Sequence, residues 1–122
     1  MKSFYISLLL FALMLGGIVA NFIYINRVAD EMTEMIDALP ALSDPACLSA
    51  SKNICDFWLE KADLVALSVS FGVVDRVSEQ TTLLVGCAAC HDVYGYQTAL
   101  SLLKDAVGDM RRLERFSIGN LL

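Results

Sequence analysis

The feature that most constrains the fold is an uninterrupted apolar segment near the start of the chain. Residues 4–25 carry no charged side chain, with Lys2 before them and Arg27 soon after them. A helix needs about 20 predominantly apolar residues to cross the hydrocarbon core of a bilayer, and its backbone groups must be paired internally there. The segment therefore predicts an N-terminal transmembrane helix, with Tyr5 and Tyr24 near its two interfaces.

A cleaved signal peptide is the alternative interpretation of this segment. Ile18-Val19-Ala20 before Asn21 forms a passable cleavage site. The apolar stretch continues past this site to Ile25, however, whereas the apolar region of a signal peptide usually spans about 7–15 residues. We therefore expect an uncleaved signal anchor over residues 1–26 and one further domain over residues 27–122.

The charges of the chain predict a partner class and an orientation. All 14 acidic residues follow the apolar segment, and such an acidic domain repels phosphate backbones, so no nucleic-acid partner is expected. Lys2 precedes the segment, and Arg27 and then acids follow it. Because basic residues favour the cytoplasm, we expect a cytoplasmic N-terminus and an extracytoplasmic domain at the cell membrane. The acidic run over residues 30–37 is interpreted as a solvated helix face rather than a cation site.

The rest of the chain shows helical periodicity. The two prolines, Pro40 and Pro45, bracket a turn, and Asp44 is a good cap for the helix that follows. Asp92 is the expected cap of the last helix, and Arg111, Arg112 and Arg115 favour its C-terminal end through the helix dipole. Three apolar stripes are expected to be buried: Val28, Met32, Met35 and Leu39; then Phe57, Leu64, Leu67, Phe71, Val74, Thr81 and Val85; and finally Val93, Tyr96, Leu100, Leu103, Val107 and Met110.

These stripes predict an all-α fold in which the N-terminal transmembrane helix continues into an antiparallel three- to four-helix bundle. An unbroken helix from Pro45 to Val85 would be too long to pack along the first helix. It is therefore expected either to break near Glu60–Asp63 or to overhang. If it returns towards the bilayer first, Phe57 and Trp58 would reach the interface.

Cys87-Ala88-Ala89-Cys90-His91 fits the pattern for covalent attachment of c-type haem. His91 would then bind the iron, and Met110 is the nearest downstream candidate for the second axial position. A zinc site would use Cys87, Cys90 and His91, with Cys47 or Cys55 as a further ligand. Disulfides are a third alternative for an exported domain. We prefer the interpretation that these are small apolar residues and an exposed histidine at a helix junction, with no cofactor.

The chain contains no Gly-rich phosphate loop, nucleophile elbow or H-E-x-x-H motif. We therefore expect a non-enzyme that binds another membrane or envelope protein, or itself. An anchored c-type cytochrome that transfers electrons through a haem bound by His91 is the alternative.

The order of several short motifs resembles a family of small bacterial, Firmicutes-type proteins known as domain of unknown function 4363. These motifs are the opening Met1-Lys2-Ser3-Phe4, the segment Asn21–Ile25, Trp58, the stretch Leu67–Val77 with Asp75, Asp92, and the ending Glu114–Leu122 with Asn120-Leu121. The chain departs from the family near Phe71, where the family tends to carry a histidine, and in its number of cysteines. The resemblance implies a membrane-anchored helical protein without a known activity, in which Cys87–His91 is not a haem motif.

Overall fold

In the computed structural model, the described residues form four helices, α1 (Lys2–Asp37), α2 (Ala46–Ala66), α3 (Phe71–Ala89) and α4 (Val93–Leu121). The structure describes residues 1–67, 69 and 71–121, with side chains up to Arg112. An apolar N-terminal helix followed by a helical bundle confirms the all-α prediction. The predicted role of Arg115, and the ending of the family resemblance, lie outside the described side chains.

Helix α1 is continuous from the apolar segment into the bundle. It is long and apolar enough to cross a membrane, and no residue of its most apolar stretch is buried. Ile25 is the first residue of α1 whose side chain is fully buried against the other helices, and Val28, Met32 and Ile36 continue this packed face. The first predicted stripe is thus confirmed at Val28 and Met32, while Leu39 is half-buried. One helix therefore carries two surfaces, an exposed apolar one and a packed one.

The caps of the later helices follow the sequence. The Asp44 carboxylate accepts a hydrogen bond from the Ala46 N–H at 2.9 Å, at the start of α2. Asp92 accepts one from the Gly95 N–H at 3.0 Å, at the start of α4. Helix α2 ends at Ala66, not near Glu60–Asp63, because residues 60–63 remain helical and Val65 still packs into the core.

The helices form a closed ring in which each one packs on its two neighbours, α1 on α2 and α4, and α3 on α2 and α4. Short connections make consecutive helices antiparallel. We call the end of the bundle at which the charge-free segment enters the proximal end, and the end formed by the α1–α2 and α3–α4 turns the distal end. The fully buried large side chains of the core are Ile25, Met32, Ile54, Trp58, Val65, Val77, Leu84, Leu103 and Met110.

Three predictions about burial are wrong. Leu64, Leu67 and Phe71 are exposed rather than buried, because the chain turns between α2 and α3 and the helical phase of one helix does not carry into the next. Val93 is exposed, since it lies in the first turn of α4 and the packed stripe begins at Tyr96. Trp58 is fully buried between α2 and α3 rather than available to lipid, whereas Phe57 is half-buried.

Candidate functional site

The Cys87–His91 motif forms the end of α3 and the turn into α4. The Asp92 N–H donates to the Cys87 carbonyl at 3.0 Å, across a residue in the left-handed conformation, His91, whose φ is 55°. A left-handed residue closing the last turn of a helix is the usual way in which a C-terminus is capped, although glycine is the common residue there. The motif thus has a structural role as a helix stop.

The side chains of this motif do not converge on one pocket. Cys87 is half-buried against α4, where it lines the space between α3 and α4. His91 lines a separate cavity of about 230 Å³ beside the α1–α2 turn, together with Cys47 and Ala88. The exposed Cys90 thiol donates a hydrogen bond to the Gly86 carbonyl at 3.1 Å. Cys87 and His91 therefore approach different faces of the bundle.

The surroundings of Cys87 favour the protonated form of its thiol. Burial, and then the negative charge of Asp92 and the neighbouring Cys90, raise the pKa of the Cys87 thiol. A raised pKa leaves less of the thiolate, which is the form that binds metals and attacks electrophiles. The four cysteines are free thiols. Within the described part of the chain, no three His, Cys, Asp or Glu side chains are grouped so as to hold a metal ion.

Met110 lies far from the motif that it was expected to complete. It is fully buried in the core towards the proximal end, 18 residues along α4 from Asp92. At about 1.5 Å of rise per residue, this separates it from the turn by about 27 Å. Such a distance does not fit one iron bound by both His91 and Met110.

A polar cluster connects α2 and α4 near the distal end. The Cys47 thiol donates to the Tyr96 hydroxyl at 3.3 Å, and both residues are buried. Burial, aided by this contact with Cys47, raises the pKa of Tyr96 to about 12, while the nearby Ser51 hydroxyl acts in the opposite direction. Cys47 is thereby part of the packing between helices, and Cys55 lies about 12 Å further along α2.

Two neighbouring cavities lie between α3 and α4 and share Gln80 and Leu102, and we call them together the α3–α4 groove. Its distal part encloses about 310 Å³ and is mainly apolar. Tyr94 stands at its rim with 88% of its surface exposed. This distal part is lined by Gln80, Leu83, Cys87, Tyr94, Gly95, Thr98, Ala99 and Leu102.

The proximal part of the groove is charged. It encloses about 570 Å³ and shares Gln80 and Leu102 with the apolar part. Asp109 accepts hydrogen bonds there from Arg76, at 2.9 Å, and from Arg112. These two guanidinium groups lower the pKa of Asp109. The groove therefore combines an apolar distal half with a charged proximal half, in which Asp109 binds two arginines.

A second cleft, of about 470 Å³, lies beside α1 where the charge-free segment ends. Its lining includes Phe22, Asn26 and Arg27, and Arg111 from α4 binds Asp30 of α1 across it. This ion pair aligns the C-terminal half of α4 with residue 30 of α1, which sets the height of the bundle along the apolar helix.

The sequence did not predict the groove. It also wrongly predicted that Leu64, Leu67 and Phe71, at the corner between α2 and α3, are buried. Leu83, Tyr94 and Leu102 lie off the buried stripes, and the only signal was that they are large apolar residues at positions where a helix of this kind is usually polar.

No protein-family model matches the chain, and the comparisons with curated proteins and with solved structures find no similar protein. The resemblance to the domain of unknown function 4363 family stays a prediction.

Proposed function

We propose that this protein is a membrane-anchored accessory subunit that binds another membrane or envelope protein through the α3–α4 groove. The observation that carries the proposal is the exposed apolar lining of that groove, formed by Leu83, Tyr94 and Leu102, on a domain whose own core is already filled. Contiguous exposed apolar surface on a small domain is characteristic of a binding site.

The anchor in this proposal is the apolar part of α1. Its side chains over residues 1–17 are exposed, which is unfavourable in water and favourable in lipid. Lys2 on one side, against Arg27 and a strongly acidic domain on the other, favours a cytoplasmic N-terminus with the bundle outside the cell membrane.

The shape of the groove favours a helix as its occupant. Between Gly95 and Arg112 the groove follows α4 for about 26 Å, which is long enough for several helical turns. An amphipathic helix would place apolar side chains beside Leu83 and Tyr94 and polar ones beside Arg76 and Asp109, as in helix-in-groove recognition. A helix of a second envelope protein fits this pattern, since the groove runs parallel to the bundle axis and towards the proximal end.

Site-specific photocrosslinking in native membranes tests this proposal. A photoreactive amino acid is placed at Leu83, Tyr94 or Leu102, and the matched controls carry it at Lys52 and Asn53, which are exposed on α2. We expect one partner to be crosslinked from all three groove positions and from neither control. The same crosslinking yield from groove and control positions would overturn the proposal. Crosslinks formed only between copies of this chain would show that the groove mediates self-association instead of binding a second protein.

The anchor has its own measurement. The full chain should float with vesicles of phosphatidylcholine and phosphatidylglycerol and resist extraction at alkaline pH. Protease added outside intact cells should digest the bundle, if the orientation is correct. Recovery of the chain in the soluble fraction would contradict the anchor without bearing on the groove.

A further inference from the structure

The corner between α2 and α3 exposes three large apolar side chains that the bundle leaves uncovered. The exposed fractions are 56% for Leu64, 82% for Leu67 and 72% for Phe71. Leu64 lies near the end of α2, Leu67 follows that helix and Phe71 begins α3, while Val69, between Leu67 and Phe71, is packed into the core. The corner is thus held to the bundle by Val69 while its other apolar side chains face outwards.

Two ion pairs place this corner along α1. Arg76 near the start of α3 binds Asp109 of α4, and Arg111, two residues further along α4, binds Asp30 of α1. Helices α1 and α3 run in the same direction, because each is antiparallel to α4. Five residues before Arg76 is Phe71, and five residues before Asp30 is Ile25, where the charge-free segment ends. Phe71 therefore lies near the level of Ile25, where α1 would leave the bilayer.

We propose that Leu64, Leu67 and Phe71 insert into the interface of the same bilayer that α1 spans. The proximal end of the bundle is then held to the membrane at two points, α1 and the corner. The geometry favours a lipid surface over a protein as the contact of this corner. Helix α1 is unbroken, and the corner lies level with the point at which the apolar surface of α1 ends. This inference rests on the proposed anchoring by α1.

Lipid quenching of an added tryptophan tests the inference on the full chain in vesicles. The variants Leu67→Trp and Phe71→Trp are reconstituted with lipids brominated near the head group, and Tyr94→Trp at the distal end is the matched control. Trp58, the single native tryptophan, is buried and supplies a constant background in all samples. Circular dichroism confirms that each variant keeps the helical content of the native chain.

We expect brominated lipid to remove most of the fluorescence added at positions 67 and 71 and little of that added at position 94. Equal quenching at all three positions, or none at 67 and 71 in protein that floats with the vesicles, would overturn the corner insertion and leave the anchor intact. Protein that does not float would overturn both proposals. Because Phe71→Trp keeps an aromatic side chain, it remains informative if the leucine variant folds poorly.

Discussion

The indole N–H of Trp58 donates a hydrogen bond to the Ser78 hydroxyl at 2.8 Å and thereby links α2 to α3 inside the bundle. The tryptophan side chain is fully buried. A buried donor that loses its partner retains its desolvation penalty, which is about 1–3 kcal/mol.

The variant Ser78→Ala is therefore expected to lower the free energy of unfolding by about 1–3 kcal/mol. Thr82→Ala is the matched control, since its exposed hydroxyl donates only to the Ser78 carbonyl within the same helix. Urea unfolding in detergent, followed by Trp58 fluorescence, measures both. Equal effects from the two variants would contradict a specific contribution of the indole hydrogen bond.

Gly95 is expected to be intolerant of a side chain. A Cβ built there would lie 2.6 Å from an Asp92 carboxylate oxygen and 2.7 Å from the Cys87 sulfur. Gly95→Ala should displace the capping carboxylate and lower the free energy of unfolding by about 1 kcal/mol. Gly108→Ala in the same helix meets no atom within 4 Å and should instead raise it by about 0.5–1 kcal/mol. Thermal denaturation measures the change in stability of the two variants, which should have opposite signs. A stabilised Gly95→Ala variant would refute the close contact.

His91 is expected to act through its backbone rather than its imidazole. A left-handed residue other than glycine carries a penalty of about 1–2 kcal/mol, so His91→Gly should raise the free energy of unfolding by about 1 kcal/mol. His91→Ala removes the same imidazole without relieving the backbone and should give no such gain. Denaturant titration compares them, and a destabilised His91→Gly would point to a contact made by the ring.

The haem alternative has a direct measurement. The native chain, expressed with haem-maturation machinery, should give no pyridine haemochrome spectrum. Covalent haem that is present in the native chain and lost in Cys87→Ala would favour the cytochrome instead.

The raised pKa of the buried Tyr96 hydroxyl predicts that the protein loses stability at alkaline pH. Its pKa is raised to about 12 in the folded protein, largely by burial, whereas an unperturbed tyrosine titrates near pH 10. The unfolded chain therefore loses this proton first. The stabilisation is fully present below about pH 10 and falls by about 2–3 kcal/mol as the pH rises to about 12. Urea unfolding across this range measures the slope, which Tyr96→Phe should reduce and the exposed Tyr94→Phe should leave unchanged.

The sequence predicts well those features that depend on neighbours along the chain. The charge-free segment predicts the apolar helix, Asp44 and Asp92 predict the two caps, and the spacing from Tyr96 to Met110 predicts the packed face of α4. Each of these follows from local backbone geometry or from helical periodicity. A single helix determines them without reference to the others.

Features that depend on the relation between helices could not be predicted in this way. The predicted stripe through Leu64, Leu67 and Phe71 spans the turn between α2 and α3. Helical periodicity predicts a buried face only within one continuous helix, so it fails where the chain changes direction. The α3–α4 groove arises where the faces of two helices diverge, so neither helix shows it alone. The spacing of Cys87 and His91 fits a haem motif, but the left-handed turn at His91 directs the two side chains into separate cavities.

The continuity of α1 has a mechanical consequence. Since no turn or hinge interrupts the helix between Lys2 and Asp37, a rotation of its apolar half about the helix axis turns the whole bundle by the same angle. One residue inserted between Ala20 and Asn21 would rotate the groove by about 100° and shift it by about 1.5 Å relative to the preceding residues. The direction in which the groove faces a neighbour is thus determined by the number of residues between the apolar half of α1 and the bundle.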